Sequence, residues 1–181
     1  MRRPDISTAV QSQAVGMILI CFDGSADARA AIQRAGELFN GETATVLTIW
    51  QPFIQVMART SVGFGLVPPI PDIDRVDAGN KKRAEEVVQQ GVELARAAGL
   101  DAKPRVSSQL TTTGRAILAE ADAVGADAIV MGSRGLTGVK SLLLGSVSHE
   151  VIQHADRTVV VVPSPEVAGT RAQETRKTAE G

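Results

Sequence analysis

Apolar and polar positions run along this chain in two rhythms. A continuous apolar run, Met17 to Phe22, reads as a buried strand and is stopped by Asp23-Gly24-Ser25. Behind it Ala28, Ala31, Ile32, Ala35, Leu38 and Phe39 recur at helical spacing, with Ser25 placed to cap the helix and Asn40-Gly41 to end it. Thr43 to Trp50 is β-branched and predicts a second strand. The rhythm then breaks. Gln51 to Arg75 carries Pro52, Pro68, Pro69, Pro71, Gly63 and Gly65, which predicts a long irregular connection with a short helical turn near Ile54 to Arg59. Val76 to Ala98 resumes the helical period, with Ala84, Val87, Val88, Gly91, Leu94, Ala95 and Ala98 as its inner stripe and Lys81, Lys82, Arg83, Glu85 and Glu86 as a solvated face.

Lys103 to Gln109 is a weaker strand, expected near a sheet edge. Gly114 opens a helix with Ile117, Leu118, Ala121 and Val124 inward. The apolar run Ala128 to Met131 is a fourth strand; Val147, Val151, Ile152 and Ala155 mark a helix from about Ser146; Arg157 to Pro163 is a fifth strand. Strands alternate with helices throughout. This order predicts an α/β fold with a five-stranded parallel sheet, helices on both faces and right-handed crossovers. In such sheets a ligand sits beyond the carboxyl ends of the strands, where strand order reverses. Asp23 and Gly132 both fall at strand ends and line one crevice if the first and fourth strands are neighbours.

Length and composition narrow this further. The 181 residues fit one domain, expected at 16–164, with a flexible arm at 1–15 and a disordered tail at 165–181. A formal charge of −1 provides no global attraction to nucleic acid or to acidic membranes. With no Tyr, one Trp and four Phe, a base-stacking single-strand binder is not indicated. The apolar run from Met17 is too short to span a membrane and no signal segment precedes it, so a cytoplasmic location is the default expectation. Cys21, the one cysteine, sits inside the first apolar run and reads as a small core residue rather than a redox thiol.

The chemistry concentrates after the fourth strand. Glycines stand at 132, 135, 138 and 145, and a helix follows. A glycine loop running into a helix start holds phosphate well, because the backbone can approach closely and unpaired N–H groups face the anion. It is not a P-loop, since Val139 separates Gly138 from Lys140-Ser141, and the dinucleotide fingerprint is absent. Arg134 and Lys140 are placed either to neutralise phosphate or to be solvated loop charges. Asp23 is either a cap for the first helix or a nucleotide contact, and Ser146 suits both an N-cap and a phosphate contact. His149 and His154, five apart, do not share a helix face and do not indicate zinc.

The spacing Gly132-x2-Gly135-x9-Gly145-Ser146, together with Ile18 to Ser25, Ala126 to Gly135, Leu143 to Ser148 and Val159 to Pro163, resembles the universal stress protein family over about residues 16–164. The resemblance implies a single Rossmann-like domain of the adenine nucleotide alpha hydrolase-like kind, binding ATP with or without Mg²⁺. It implies that Asp23 holds the ribose or adenine side and that Ile49 offers backbone groups to the adenine edge. Met131 and Gly132 would lie under the sugar and phosphates. Gly135, Gly145, Ser146 and Val147 would supply backbone N–H groups to the phosphates. It also implies a homodimer paired through the last strand, Val159 to Val162, and a bare apolar edge is a physical reason to cover that strand.

The functional expectation is a nucleotide-dependent stress-response regulator acting on a protein partner the sequence does not identify. A slow Mg²⁺-dependent ATPase or autophosphorylating enzyme is the alternative, with Asp23 near a metal and Ser146 or Thr137 as phosphoryl acceptor. No dedicated base or carboxylate pair near the loop supports it. A ligand-free structural dimer is the third reading, against which the intact glycine spacing argues. Gly132 and Gly145 are expected to lack side chains because phosphates approach there.

Overall fold

The computed structural model describes residues 16–60, 72–108, 111–136, 144–170 and 172. Five strands, β1 (Met17–Cys21), β2 (Thr43–Trp50), β3 (Asp101–Ser108), β4 (Ala128–Gly132) and β5 (Thr158–Val162), form one sheet in the order β3-β2-β1-β4-β5. Every pairing is parallel. The chain builds outward from β1 through β2 to β3, then crosses back to place β4 on the other side of β1. The reversal falls between β1 and β4, with Ile18 beside Ala128 and Ile20 beside Val130. The two strand ends that carry Asp23 and Gly132 are therefore neighbours.

Side-chain alternation splits the core into two layers. Ile18, Ile20 and Phe22 of the first strand and its exit, with Val46, Ala128 and Val130, pack under α1 (Ala26–Leu38) and α3 (Ile73–Ala97). Leu19, Leu47, Ile129 and Met131 face the opposite way, with Ile117 of α4 (Thr113–Val124) and Val151 of α5 (Ser146–His154). Odd and even positions of one strand thus feed different cores, the mark of a sheet covered on both faces. The Ala-rich stripe of α1 lets it sit close to β4: Ala31, Ile32 and Ala35 are fully buried. Ser25 is the N-cap, its hydroxyl accepting from the Ala28 N–H at 3.2 Å, after a turn that Gly24 makes at φ +84. Ser25→Ala is expected to cost about 1 kcal/mol, read as a lower urea midpoint with an unchanged slope.

Several boundaries differ from the sequence expectation. The third helix begins at Ile73, because Asp72 caps it by accepting from the Arg75 N–H at 3.1 Å. β3 begins at Asp101 and contains Pro104, which an edge strand tolerates. Part of the 51–75 connection is the helix α2 (Phe53–Thr60), whose first N–H donates to Asp77 of α3 at 2.7 Å; residues 61–71 lie outside the described residues. The expected arm at 1–15 lies outside them too. Where a disordered tail was expected from 165, residues 165–170 are helical and Val167 is buried. Ala168 N–H closes that turn onto the Ser164 carbonyl at 2.9 Å. Among the described residues no helix is long and apolar enough to cross a membrane.

Candidate functional site

The carboxyl ends of β1, β2 and β4 open into a cavity of about 460 Å³ on the α4/α5 face of the sheet. Its floor follows from the alternation above. Cys21, Leu47, Ile49 and Met131 point to this face, and Ile117 of α4 and Val147 of α5 extend the apolar surface. At the β1/β4 end the lining changes to Asp23, Gly132, Gly135, Gly145 and Ser146. All eight residues proposed from the sequence line this one cavity: Asp23, Ile49, Met131, Gly132, Gly135, Gly145, Ser146 and Val147. Thr137 and Lys140 lie outside the described residues. One end suits a flat apolar group and the other an anion.

The anion end is the start of α5. Its N-cap is Gly145, with no side-chain capping bond. Ser146 is therefore the first helical residue and not the cap, a correction to the sequence reading. The first intrahelical bond is made by the His149 N–H to the Gly145 carbonyl at 3.0 Å. The N–H groups of Ser146, Val147 and Ser148 precede that bond, so none has a partner inside the helix, and the helix dipole adds positive potential there.

Asp23 closes the facing wall. Its Oδ1 accepts from the Ser25 N–H at 3.0 Å and its Oδ2 from the Leu136 N–H at 3.2 Å. The cap of α1 is Ser25, so Asp23 is not that cap; it ties the end of β1 to the glycine loop. Gly135 permits the tie, since a Cβ there would stand 2.8 Å from Asp23 Oδ2. Gly132 has a different reason. A Cβ at 132 would stand 2.8 Å from the Asp27 carbonyl carbon and 2.9 Å from the Ala28 nitrogen. It is glycine because the first turn of α1 lies against β4, which replaces the expectation that phosphate approach alone explains it. Gly145 meets no such obstacle: its nearest neighbours, Arg134 Cα and the Ser133 oxygen, would be 3.5 Å away.

Three residues of this region were not found in the sequence. Asp27, only 6% exposed, accepts at Oδ2 from Ser133 Oγ (2.7 Å) and from the Arg134 N–H (3.1 Å). Ser133 is fully buried; its N–H donates to the Val162 carbonyl at 2.8 Å and its own carbonyl accepts from the Gly145 N–H at 2.8 Å, so that N–H, expected to face phosphate, is instead spent inside the loop. Ser148 Oγ lies 2.9 Å from the Ser133 carbonyl and 3.0 Å from that of Gly145. Arg134 is no solvated loop charge: its side chain is 13% exposed, with Nε 3.8 Å from Asp27 Oδ2. Local signals could not have found the Asp27 contacts, which reach Ser133 and Arg134 from 106 and 107 positions away. An acid in the first turn of a helix reads as a favourable dipole partner and nothing more.

Burial, with a smaller push from the Asp23 charge, raises the Cys21 thiol to about 12. The thiol is therefore neutral in the cavity floor. The unfolded chain ionises it near the ordinary value of 9, while the folded chain holds the proton. Its contribution to stability is complete below pH 9 and is lost as pH rises toward 12. Unfolding free energy is expected to fall across that window in the natural chain, and less steeply in Cys21→Ala. Denaturant midpoints at pH 8, 9 and 10 check this.

A model of the universal stress protein family matches residues 16–163. The universal stress protein YxiE of Bacillus subtilis (strain 168) is 31% identical over 146 residues, covering 80% of this chain and 97% of that one. A universal stress protein solved in complex with cAMP superposes with a TM-score of 0.57 at 23% identity, covering 83% and 98% of the two chains. The universal stress protein of Archaeoglobus fulgidus solved with dAMP gives 0.53 at 22% identity, covering 82% and 97%. With the parallel five-stranded sheet and the matched span, the chain belongs to the universal stress protein family.

Proposed function

We propose that this protein binds an adenine nucleotide, ATP foremost, in the β1/β4 cavity and acts as a nucleotide-dependent regulator in the stress response. One observation carries the reading: the start of α5, capped by no side chain, opens onto a cavity whose far floor is apolar. A nucleotide matches that division. Its phosphates meet the N–H groups of Gly135, Ser146 and Val147, and its base covers Ile49, Leu47 and Ile117. The two structural relatives solved with cAMP and dAMP both hold adenine nucleotides, which supports the choice of base. Asp23 takes the sugar side, and Met131 and Gly132 lie beneath sugar and phosphate. Any Mg²⁺ would travel on the phosphates, with Asp23 the nearest lining carboxylate.

A binding role is preferred to an enzymatic one for a geometric reason. Asp23 and Asp27 each spend carboxylate oxygens on backbone N–H groups of the loop, which suits holding more than proton abstraction. The readout would run through surfaces the ligand orders: the glycine loop, a partner protein that reads it, and the half-exposed edge Val159 to Val162, which we pair with the same strand of a second copy. The cytoplasm is the compartment this reading assumes. Titration calorimetry with ATP, ADP, AMP and cyclic AMP tests it. Saturable heat with at least one adenine nucleotide is expected, while silence at millimolar concentration would remove the proposal. A Mg²⁺-dependent phosphate-release assay on the same sample is expected to show no turnover beyond about one phosphate per hour, far below ordinary enzymes.

A further inference from the structure

Asp27 is a buried carboxylate beside a site read as receiving phosphate, where an unneeded negative charge would only repel the ligand. The contacts around it indicate why it stands there. One oxygen, Oδ2, gathers the Ser133 hydroxyl, the Arg134 N–H and, at 3.8 Å, the Arg134 guanidinium. Ser133 in turn holds the cap residue of α5 through its carbonyl, by the Gly145 N–H, while Ser148 of α5 reaches the same carbonyl. Asp27 therefore sits at the root of a connected chain. It runs from α1 through the start of the glycine loop to the first turn of α5, the two elements that form the anion end.

We propose that Asp27 is the positioning residue of this nucleotide site. Through Ser133 it fixes the distance between the glycine loop and the α5 start, so that both sets of N–H groups face one phosphate group before the ligand arrives. It does not touch the ligand. Its charge is balanced locally by Arg134 and by the N-terminal end of α1, in whose first turn it lies. The inference rests on the nucleotide reading above. It adds a consequence that reading lacks: phosphate affinity depends on a side chain on the far side of the loop, whereas affinity for the base and sugar does not.

The experiment measures ATP and adenosine binding by calorimetry for the natural chain, Asp27→Ala, Asp27→Asn and Ser133→Ala, each checked for folding by circular dichroism. Asp27→Ala is expected to weaken ATP by at least about tenfold, the loss expected from hydrogen bonds to a charged group, while adenosine stays within about twofold. Asp27→Asn keeps an acceptor oxygen and is expected to recover most of that loss. If Asp27→Ala does not fold, Ser133→Ala removes only the hydroxyl and is expected to give the same selective weakening at about threefold. Parallel weakening of ATP and adenosine, an unchanged ATP affinity, or tighter ATP binding in Asp27→Asn would overturn the positioning role while leaving the nucleotide reading intact. If the natural chain binds neither molecule, both fall.

Discussion

Gly132→Val is expected to destabilise the fold by about 3 kcal/mol before any ligand is added. The site is closed by backbone rather than by movable side chain. A Cβ would approach the Asp27 carbonyl carbon and Cβ to 2.8 Å and the Ala28 nitrogen to 2.9 Å, and valine adds two more carbons. Relief requires α1 to withdraw from β4. That withdrawal would strip contacts from Ala28, Ala31 and Ile32, all buried against this part of the sheet. For a domain of this size the loss corresponds to a Tm lower by roughly 10 °C. Thermal unfolding of ligand-free protein reads it. An unchanged Tm would mean that α1 does not lie against Gly132 as described.

Gly145→Val is expected to do the reverse. Its backbone, φ −71 and ψ 160, is open to any residue, and a Cβ would sit at ordinary contact distance, 3.5 Å, from Arg134 Cα and the Ser133 oxygen. Loss of a glycine cap costs at most about 1 kcal/mol. The added methyl groups, however, stand between the loop start and the first turn of α5, beside the N–H groups proposed to receive phosphate. Losing two charge-assisted hydrogen bonds removes about 3 kcal/mol or more of binding, roughly a hundredfold in affinity. The expected result is a folded protein with a Tm within a few degrees of the natural chain and ATP binding too weak to saturate. The two glycines carry the same sequence signature and separate only by what a side chain would strike. Retained ATP affinity in a folded Gly145→Val would move the anion end elsewhere.

The sequence carried the layered architecture because strands such as Met17 to Phe22 are continuously apolar and Thr43 to Trp50 is β-branched, while helices such as α1 are apolar on one stripe only. Of the eight lining residues, Asp23, the three glycines and Ser146 were legible locally, as a strand end and a glycine loop running into a helix, whereas Ile49, Met131 and Val147 came only through the resemblance to the family. The boundaries at Ile73 and Asp101 were obscured by residues that work against the simple rule: Asp72 caps from a left-handed backbone, and Pro104 lies within an edge strand. Ser146 looked like a cap because its side chain suits one, but the chain turns into the helix one residue earlier, at Gly145. The Asp27, Ser133 and Ser148 network was invisible for a stronger reason. Each residue has an ordinary local reading; the β1/β4 crossing brings Asp27 to Ser133, and the return of the loop into α5 brings Ser148 to the same residue. Arg134 likewise could not be assigned until its carboxylate partner was located on α1.

Phosphate is expected to bind between the glycine loop and the start of α5. An ATP titration followed by amide NMR on ¹⁵N-labelled protein tests it most directly, because it reports both binding and place. Saturating shifts are predicted at the N–H groups of Gly135, Ser146 and Val147, with the exposed face of α3 around Glu85 and Glu86 unmoved. An absence of shifts at millimolar ATP, or shifts confined to elements away from these amides, would contradict the account.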